Sequence, residues 1–240
     1  AQIGVATLLW DKRGTGDSDG DFRTAQFAEF AADAAAALAH ARTLPEIDPA
    51  RVGFQAQSEG GWVAAAAIRA GAQPDFVVMT SAGPIHPRDQ ELYRATTQPQ
   101  RNGLSAGDAK AATEFMQLKW AAAFDEEKFE AYLAAARAAA SQKWYPSVQG
   151  PLVADSSEWQ RLRLLKSFDP VADFRAISVP TLVIVSSADT VVPGERVAEL
   201  WRQLWGAQPP AGSEIKVLPD LDHGLIARTQ GRSTLVDPAA

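Results

Sequence analysis

The chain reads as a single α/β domain, residues 1–240, built on a mostly parallel sheet with flanking helices. Three observations carry that reading. Short apolar runs rich in β-branched residues alternate with segments whose apolar residues recur at helical spacing. Several of these runs end in loops rich in Gly, Asp and Ser. At 240 residues and 46% hydrophobic content, the chain can bury one sizeable core and requires no second globular domain.

Taken in order, residues 5–10 (Val-Ala-Thr-Leu-Leu-Trp) form a continuous apolar run, as in a strand buried on both faces, and 11–20 come next as a Gly- and Asp-rich loop. Over 24–43, Phe27, Phe30, Ala31, Ala34, Leu38 and Ala41 keep helical spacing, and Pro45 and Pro49 close the segment. Residues 52–55 predict a strand, 59–70 a helix, and 76–80 a strand that ends at Ser81-Ala82-Gly83-Pro84. From about 88 to 168 the alternation gives way to alanine-rich helical stretches, 106–124 and 126–140 among them, which predict a helical insertion. Residues 182–185 restore the strand pattern, 195–205 supply a helix, and 214–218 predict a last strand before Asp220-Leu221-Asp222-His223-Gly224.

Composition removes several function classes. The formal charge of -6 includes no basic run, which argues against nucleic-acid or anionic-membrane partners. With no cysteine, thiol nucleophiles, disulfides and cysteine metal sites are excluded, and three histidines, His40, His86 and His223, are too few for a histidine-rich metal centre. Neither a metal nor an organic cofactor is expected. No apolar stretch is long enough to span a bilayer. The first residues carry no initiator methionine, basic region or cleavage pattern, so the chain is expected to start inside a fold, and localisation and oligomeric state stay open.

The chemistry concentrates at Ala56-Gln57-Ser58-Glu59-Gly60, where a short strand runs directly into a serine flanked by small residues. Such a nucleophile elbow needs small side chains two before and two after the serine, because strand and helix approach closely there. A serine hydroxyl is a poor nucleophile near neutral pH and needs a base within reach and a third group to orient that base. Asp189, after the strand 182–185, and His223, after the strand 214–218, both fall at the carboxyl edge of a parallel sheet, where Ser58 also emerges. Asp220 and Asp222 are rivals for the acid, but they adjoin His223 so closely that shaping its loop is the better reading.

Together, Asp11-Lys12-Arg13-Gly14-Thr15-Gly16-Asp17-Ser18, Gln57-Ser58-Glu59-Gly60-Gly61, Ala188-Asp189-Thr190-Val191-Val192-Pro193 and Asp222-His223-Gly224 resemble the α/β-hydrolase superfamily. The similarity is strongest to bacterial serine esterases and peptidase-like hydrolases with a DKRG loop and a SEGG elbow. It implies Ser58 as nucleophile, His223 as general base and then acid, Asp189 as orienting carboxylate, and the backbone N–H of Glu59 as an oxyanion donor. The insertion would be a cap that selects substrate. Relatives carry Gly-His where this chain has Ala56-Gln57, and they draw a second oxyanion donor from a His-Gly loop after a third strand. This chain begins at what resembles the fourth strand and stops short of a final packing helix, so an incomplete domain is expected. An empty slot should lie between 5–10 and 52–55.

The resulting expectation is a serine hydrolase that cleaves a carboxylic ester, thioester or amide in a small molecule or short peptide. A peptidase of the same fold and a non-catalytic binding domain are the alternatives. Trp120, Trp144, Tyr145 and Trp159 either line an acyl pocket or hold the cap helices together. Glu59 is read as a first-turn acid favoured by the helix dipole, Arg13 as a structural ion-pair partner, and His40 and His86 as structural.

Overall fold

Four parallel strands carry the molecule: β1 (Phe54–Gln57), β2 (Val77–Thr80), β3 (Thr181–Ser186) and β4 (Glu214–Leu218), in spatial order β1-β2-β3-β4. The structure, a computed structural model, describes residues 4–229 and 232–234. Register places side chains in rows across the sheet. One row set, Phe54-Val77-Thr181 and Ala56-Met79-Val183, is buried throughout. The alternate rows, Gln55-Val78-Leu182-Glu214 and Gln57-Thr80-Ile184-Lys216, are exposed at the edge strands and half-buried in the centre. One face of the sheet is therefore covered by helices and the other only in part, whereas parallel sheets are usually covered on both sides.

Helices α1 (Phe27–Ala41) and α2 (Glu59–Arg69) pack against each other, and α7 (Pro170–Phe174) packs on α2. In α8 (Gly194–Trp205) the buried positions Gly194, Val197, Ala198 and Trp201 recur at helical spacing, which presents one apolar stripe to β3 and β4. Two indoles tie the helices to the segment leading out of β2: Trp201 Nε1 donates to the carbonyl of Ala82 at 3.1 Å and Trp62 Nε1 to that of Ile85 at 3.1 Å. The observed strands lie within two residues of the expected ones. A short antiparallel pair of strands, β5 (Ala227–Thr229) and β6 (Arg232–Thr234), stands after β4 where no element was expected.

The expected strand at 5–10 does not form. Val5, Leu8, Leu9 and Trp10 are 58%, 39%, 83% and 50% exposed, and no described strand pairs with this run. Apolar composition suits a strand, but a strand exists only when a neighbour satisfies its backbone N–H and C=O groups. The matching edge belongs to β1, which pairs with β2 alone. The N–H groups of Phe54 and Ser58 donate to Phe76 and Thr80, so the peptide groups of Gln55 and Gln57 face the open side. A cleft of about 330 Å³ runs along that side between Trp10 and β1, with Phe30 of α1 and Val63 of α2 in its walls.

The insertion consists of α3 (Pro87–Arg101), α4 (Ala106–Phe124), α5 (Phe129–Ala139) and α6 (Ser157–Leu164), with one 3-10 turn between α4 and α5 and one between α5 and α6, around a hydrophobic cluster of its own. His86 ties its two ends together. Nδ1 accepts from the N–H of Arg88 at 3.0 Å, so Nε2 carries the proton and donates to the carbonyl of Leu165 at 2.9 Å. Within the cap, Lys119 is 6% exposed, its ammonium 3.7 Å from Glu91 Oε2, which also accepts from Arg94 at 3.0 Å. Burial pushes Lys119 below the ordinary lysine value, and the attraction of Glu91 offsets this only in part.

Desolvation is the larger effect at Lys119, and Glu91 keeps Arg94 when the lysine is removed. Lys119→Met is therefore expected to raise unfolding stability at neutral pH, since burial of the ammonium outweighs its attraction to Glu91. A depressed lysine pKa means that the folded state disfavours the proton, so the advantage should shrink as pH rises towards 10.5, where the unfolded chain also loses it. Urea melts at several pH values measure this. A variant less stable than the parent at neutral pH would mean that the ion pair outweighs burial.

Candidate active site

The β1–α2 turn places Ser58 in a conformation that side chains rarely adopt, φ 52° and ψ -120°, and such strain persists only where the surroundings enforce it. Here the N–H of Ser58 donates to Thr80 at 3.0 Å, and its carbonyl accepts from Gly61 at 2.9 Å as α2 begins. The N–H of Glu59 is one of the first-turn donors that a helix leaves without an internal acceptor, and no described acceptor takes it. The turn thus offers a hydroxyl and an adjacent free N–H at the carboxyl edge of the sheet.

The loop after β3 supplies Asp189, 1% exposed. Its Oδ1 accepts from the N–H groups of Val191 at 2.7 Å and Val192 at 3.0 Å, and its Oδ2 from His223 Nδ1 at 2.8 Å. A carboxylate accepts only, so the ring proton sits on Nδ1 and Nε2 is left as an acceptor. The His223 loop is held from three sides. Ser186 Oγ donates to Leu221 O at 2.8 Å while accepting from the N–H of Leu221 and of Ala188. Ser81 Oγ and Gln57 Nε2 donate to the carbonyl of His223 at 3.1 and 3.3 Å. Gln57 adjoins Ser58, so the histidine loop and the elbow are in direct contact, although no hydrogen bond joins Ser58 Oγ to His223 among the described residues.

Charges flank the β1–α2 turn. The Glu59 carboxylate accepts from Lys12 at 3.0 Å and from Arg161 of α6 at 2.7 Å, one cation from the loop after 5–10 and one from the cap. Lys12 also lies 4.4 Å from the ring centre of Phe30. Arg13 pairs with Asp33 at 2.7 Å and Glu29 at 2.7 Å, which fixes its loop to α1. Among the described residues no group of three or more His, Asp or Glu side chains could hold a metal ion, and no helix is long and apolar enough to cross a membrane.

The sequence model of the X-Pro dipeptidyl-peptidase family, S15, matches residues 1–223. The chain belongs to the S15 family. The fold of this S15 member is that of the α/β-hydrolases, and the family makes it an enzyme of the hydrolase type. Among solved structures, an esterase from Exiguobacterium antarcticum is similar at 20% identity, covering 89% of this chain and 73% of its own, with TM-score 0.49. A bromoperoxidase from Bacillus anthracis is similar at 20% identity, with 90% and 74% covered and TM-score 0.48. Comparison with curated protein sequences gives no match.

Within this S15 chain, Asp189 and His223 meet directly and Ser58 and Glu59 lie on the neighbouring turn. The four aromatics of the insertion lie elsewhere. Trp120, Trp144, Tyr145 and Trp159 are 2%, 8%, 8% and 0% exposed and belong to the cap's own cluster. Trp159 stacks on Tyr132 with ring centres 5.2 Å apart, and Trp144 and Tyr145 both pack on Phe115. The cleft beside the elbow is lined instead by Trp10, Lys12, Phe54, Gln57, Glu59 and Gly60, among others. Sequence reasoning missed Ser81, Ser186 and Tyr93 as supports of the two loops. Small hydroxyl residues directly after apolar strands, at the edge where loops gather, were the available signal for the first two.

The elbow also corrects which glycine matters. A Cβ on Gly60 would sit 3.9 Å from Ala56 Cβ, an ordinary contact, which also explains how Ala56 is accommodated. A Cβ on Gly61 would fall 2.5 Å from Ala82 Cβ and 3.5 Å from Met79 Sδ, so the close crossing of α2 over β2 occurs there. Gly61→Ala should cost about 1–3 kcal/mol in urea unfolding through overpacking, whereas Gly60→Ala should fall within about 1 kcal/mol of the parent. Equal effects at both positions would refute this assignment.

Proposed function

We propose that the chain is a serine hydrolase that cleaves an ester or amide carbonyl through an acyl-enzyme on Ser58. The observation that carries the reading is the buried Asp189–His223 pair, 2.8 Å apart, on a loop that touches a strained serine turn. His223 Nε2 takes the proton as Ser58 Oγ attacks, and the tetrahedral oxygen draws on the N–H of Glu59. The imidazolium then protonates the leaving group, and water deprotonated by His223 releases the acid. Asp189, held by two backbone donors, accepts from the ring at Nδ1 and so keeps Nε2 turned to the serine turn as the base.

The family match favours a peptide substrate as the second reading, and the cap beside the elbow is the element that would select between acyl groups. An ester asks less of the site, since its leaving group needs less help than an amine. Hydrolysis of p-nitrophenyl acetate against that of an X-Pro p-nitroanilide separates the two, and a fluorophosphonate probe reports the nucleophile. Ser58→Ala and His223→Ala should each lower kcat by about 10⁴-fold or more, and Asp189→Asn by about 10⁴-fold. Probe labelling should disappear in Ser58→Ala. Labelling that survives this substitution would remove the assignment, and a folded protein that never labels would point to a binding domain.

A further inference from the structure

The first cap helix reaches across the sheet edge to the loop that carries Asp189. Tyr93 Oη donates to the carbonyl of Asp189 at 2.7 Å, and Thr97 Oγ1 donates to the carbonyl of Thr190 at 2.7 Å. Residues four apart share one face of a helix, so α3 holds two consecutive peptide groups with one surface. Arg101, one turn further, extends that contact towards Thr190 Oγ1 at 3.3 Å. These are distant partners, 96 and 93 positions from the carbonyls they hold.

The 190–191 peptide is held from its other side as well, since its N–H, that of Val191, donates to Asp189 Oδ1 at 2.7 Å, whereas the 189–190 peptide has no partner besides Tyr93 among the described residues. The N–H of Asp189 reaches Ser186 only at 3.4 Å, and the carboxylate's own bonds go to the next residues of the loop and to the histidine. The plane of the 189–190 peptide, from which the acid side chain projects, is thus set by α3. Burial and the nearby Asp189 charge push the Tyr93 phenol above its ordinary value, which keeps it a donor across the neutral range.

We propose that Tyr93, supported by Thr97, is a positioning residue that orients Asp189 towards His223, so that the seating of the cap on the sheet governs the alignment of the acid–base pair. The proposal rests on the roles given above to Ser58, Asp189 and His223. A cap tilted away from the sheet would withdraw both hydroxyls together and leave the acid loop free to rotate. Substrate contacts made by the cap would then bear on the alignment of the histidine as well as on affinity.

The test uses the full chain and p-nitrophenyl acetate. Tyr93→Phe should lower kcat by about one to two orders of magnitude with KM nearly unchanged, as expected when a reacting group is misaligned. The downfield NMR resonance of the His223 Nδ1 proton should weaken or shift in the same variant. In an Asp189→Asn background, Tyr93→Phe should cost less than about twofold, because its effect passes through that carboxylate. Thr97→Val should act in the same direction, and it carries the test if circular dichroism shows Tyr93→Phe to be unfolded. Thr96→Val, whose hydroxyl bonds within the cap to Leu92 and Thr113, should leave kcat unchanged. Parental kcat and an unaltered proton signal in both Tyr93→Phe and Thr97→Val would overturn the proposal, as would an undiminished loss in the Asp189→Asn background. Activity that survives Ser58→Ala would instead overturn the reading on which it rests.

Discussion

A carboxylate buried as deeply as that of Asp189 survives only if its lone pairs are answered, since an unpaired buried charge costs several kcal/mol. Much of the sheet's carboxyl edge is organised to answer it. The loop after β3 turns tightly enough for two of its own N–H groups to reach Oδ1. Oδ2 then faces outward, and the loop after β4 is the element placed to bring it a donor. Ser186, the last residue of β3, fastens these loops together with one hydroxyl that both donates and accepts. Parallel strands make this possible, because every strand delivers its loop to the same edge.

The elbow obeys a steric constraint of a different kind. Its serine is strained and its helix lies close, and Gly61 is what permits the approach to Ala82 and Met79. Electrostatic and steric demands therefore act on separate elements, the acid loop and the β1–α2 turn. Among the described residues, the turn side reaches the histidine loop where Gln57 holds the backbone of His223, beside Ser81. This separation accounts for a near match to the usual elbow pattern in an intact turn: Ala56 faces Gly60, where there is room, while the crowded position keeps its glycine.

Much of this was legible in the amino-acid order, and the rest had identifiable reasons for being hidden. Apolar runs bounded by loop residues located the central strands β2 and β3, and the edge strands β1 and β4, exposed at alternate residues, fell within two residues of their expected places. The same rule failed at residues 5–10, because composition records an affinity for burial and says nothing of whether a partner strand lies alongside. Asp189 and His223 could be picked out because position after a strand is a local property. Ser186 and Ser81 carried the same local signal, a hydroxyl at the end of an apolar strand, but their partners are backbone carbonyls 35 and 142 positions away, and Tyr93, which acts on a carbonyl 96 positions away from within a helix, carried none. The cap aromatics were ambiguous for a related reason: pocket lining and helix packing call for the same residues.

The attachment of the insertion has a mechanical meaning. Indoles from two helices pin the carbonyls of Ala82 and Ile85, so the segment that leads out of β2 is clamped and cannot serve as a pivot. Immediately beyond it, one imidazole joins the start of the insertion to its return at Leu165. Both connecting strands of polypeptide are thereby gathered at a single post. Four helices with a shared core are thus joined to the sheet through one hydrogen-bonded ring, so a substitution at His86 would loosen both ends of the insertion at once.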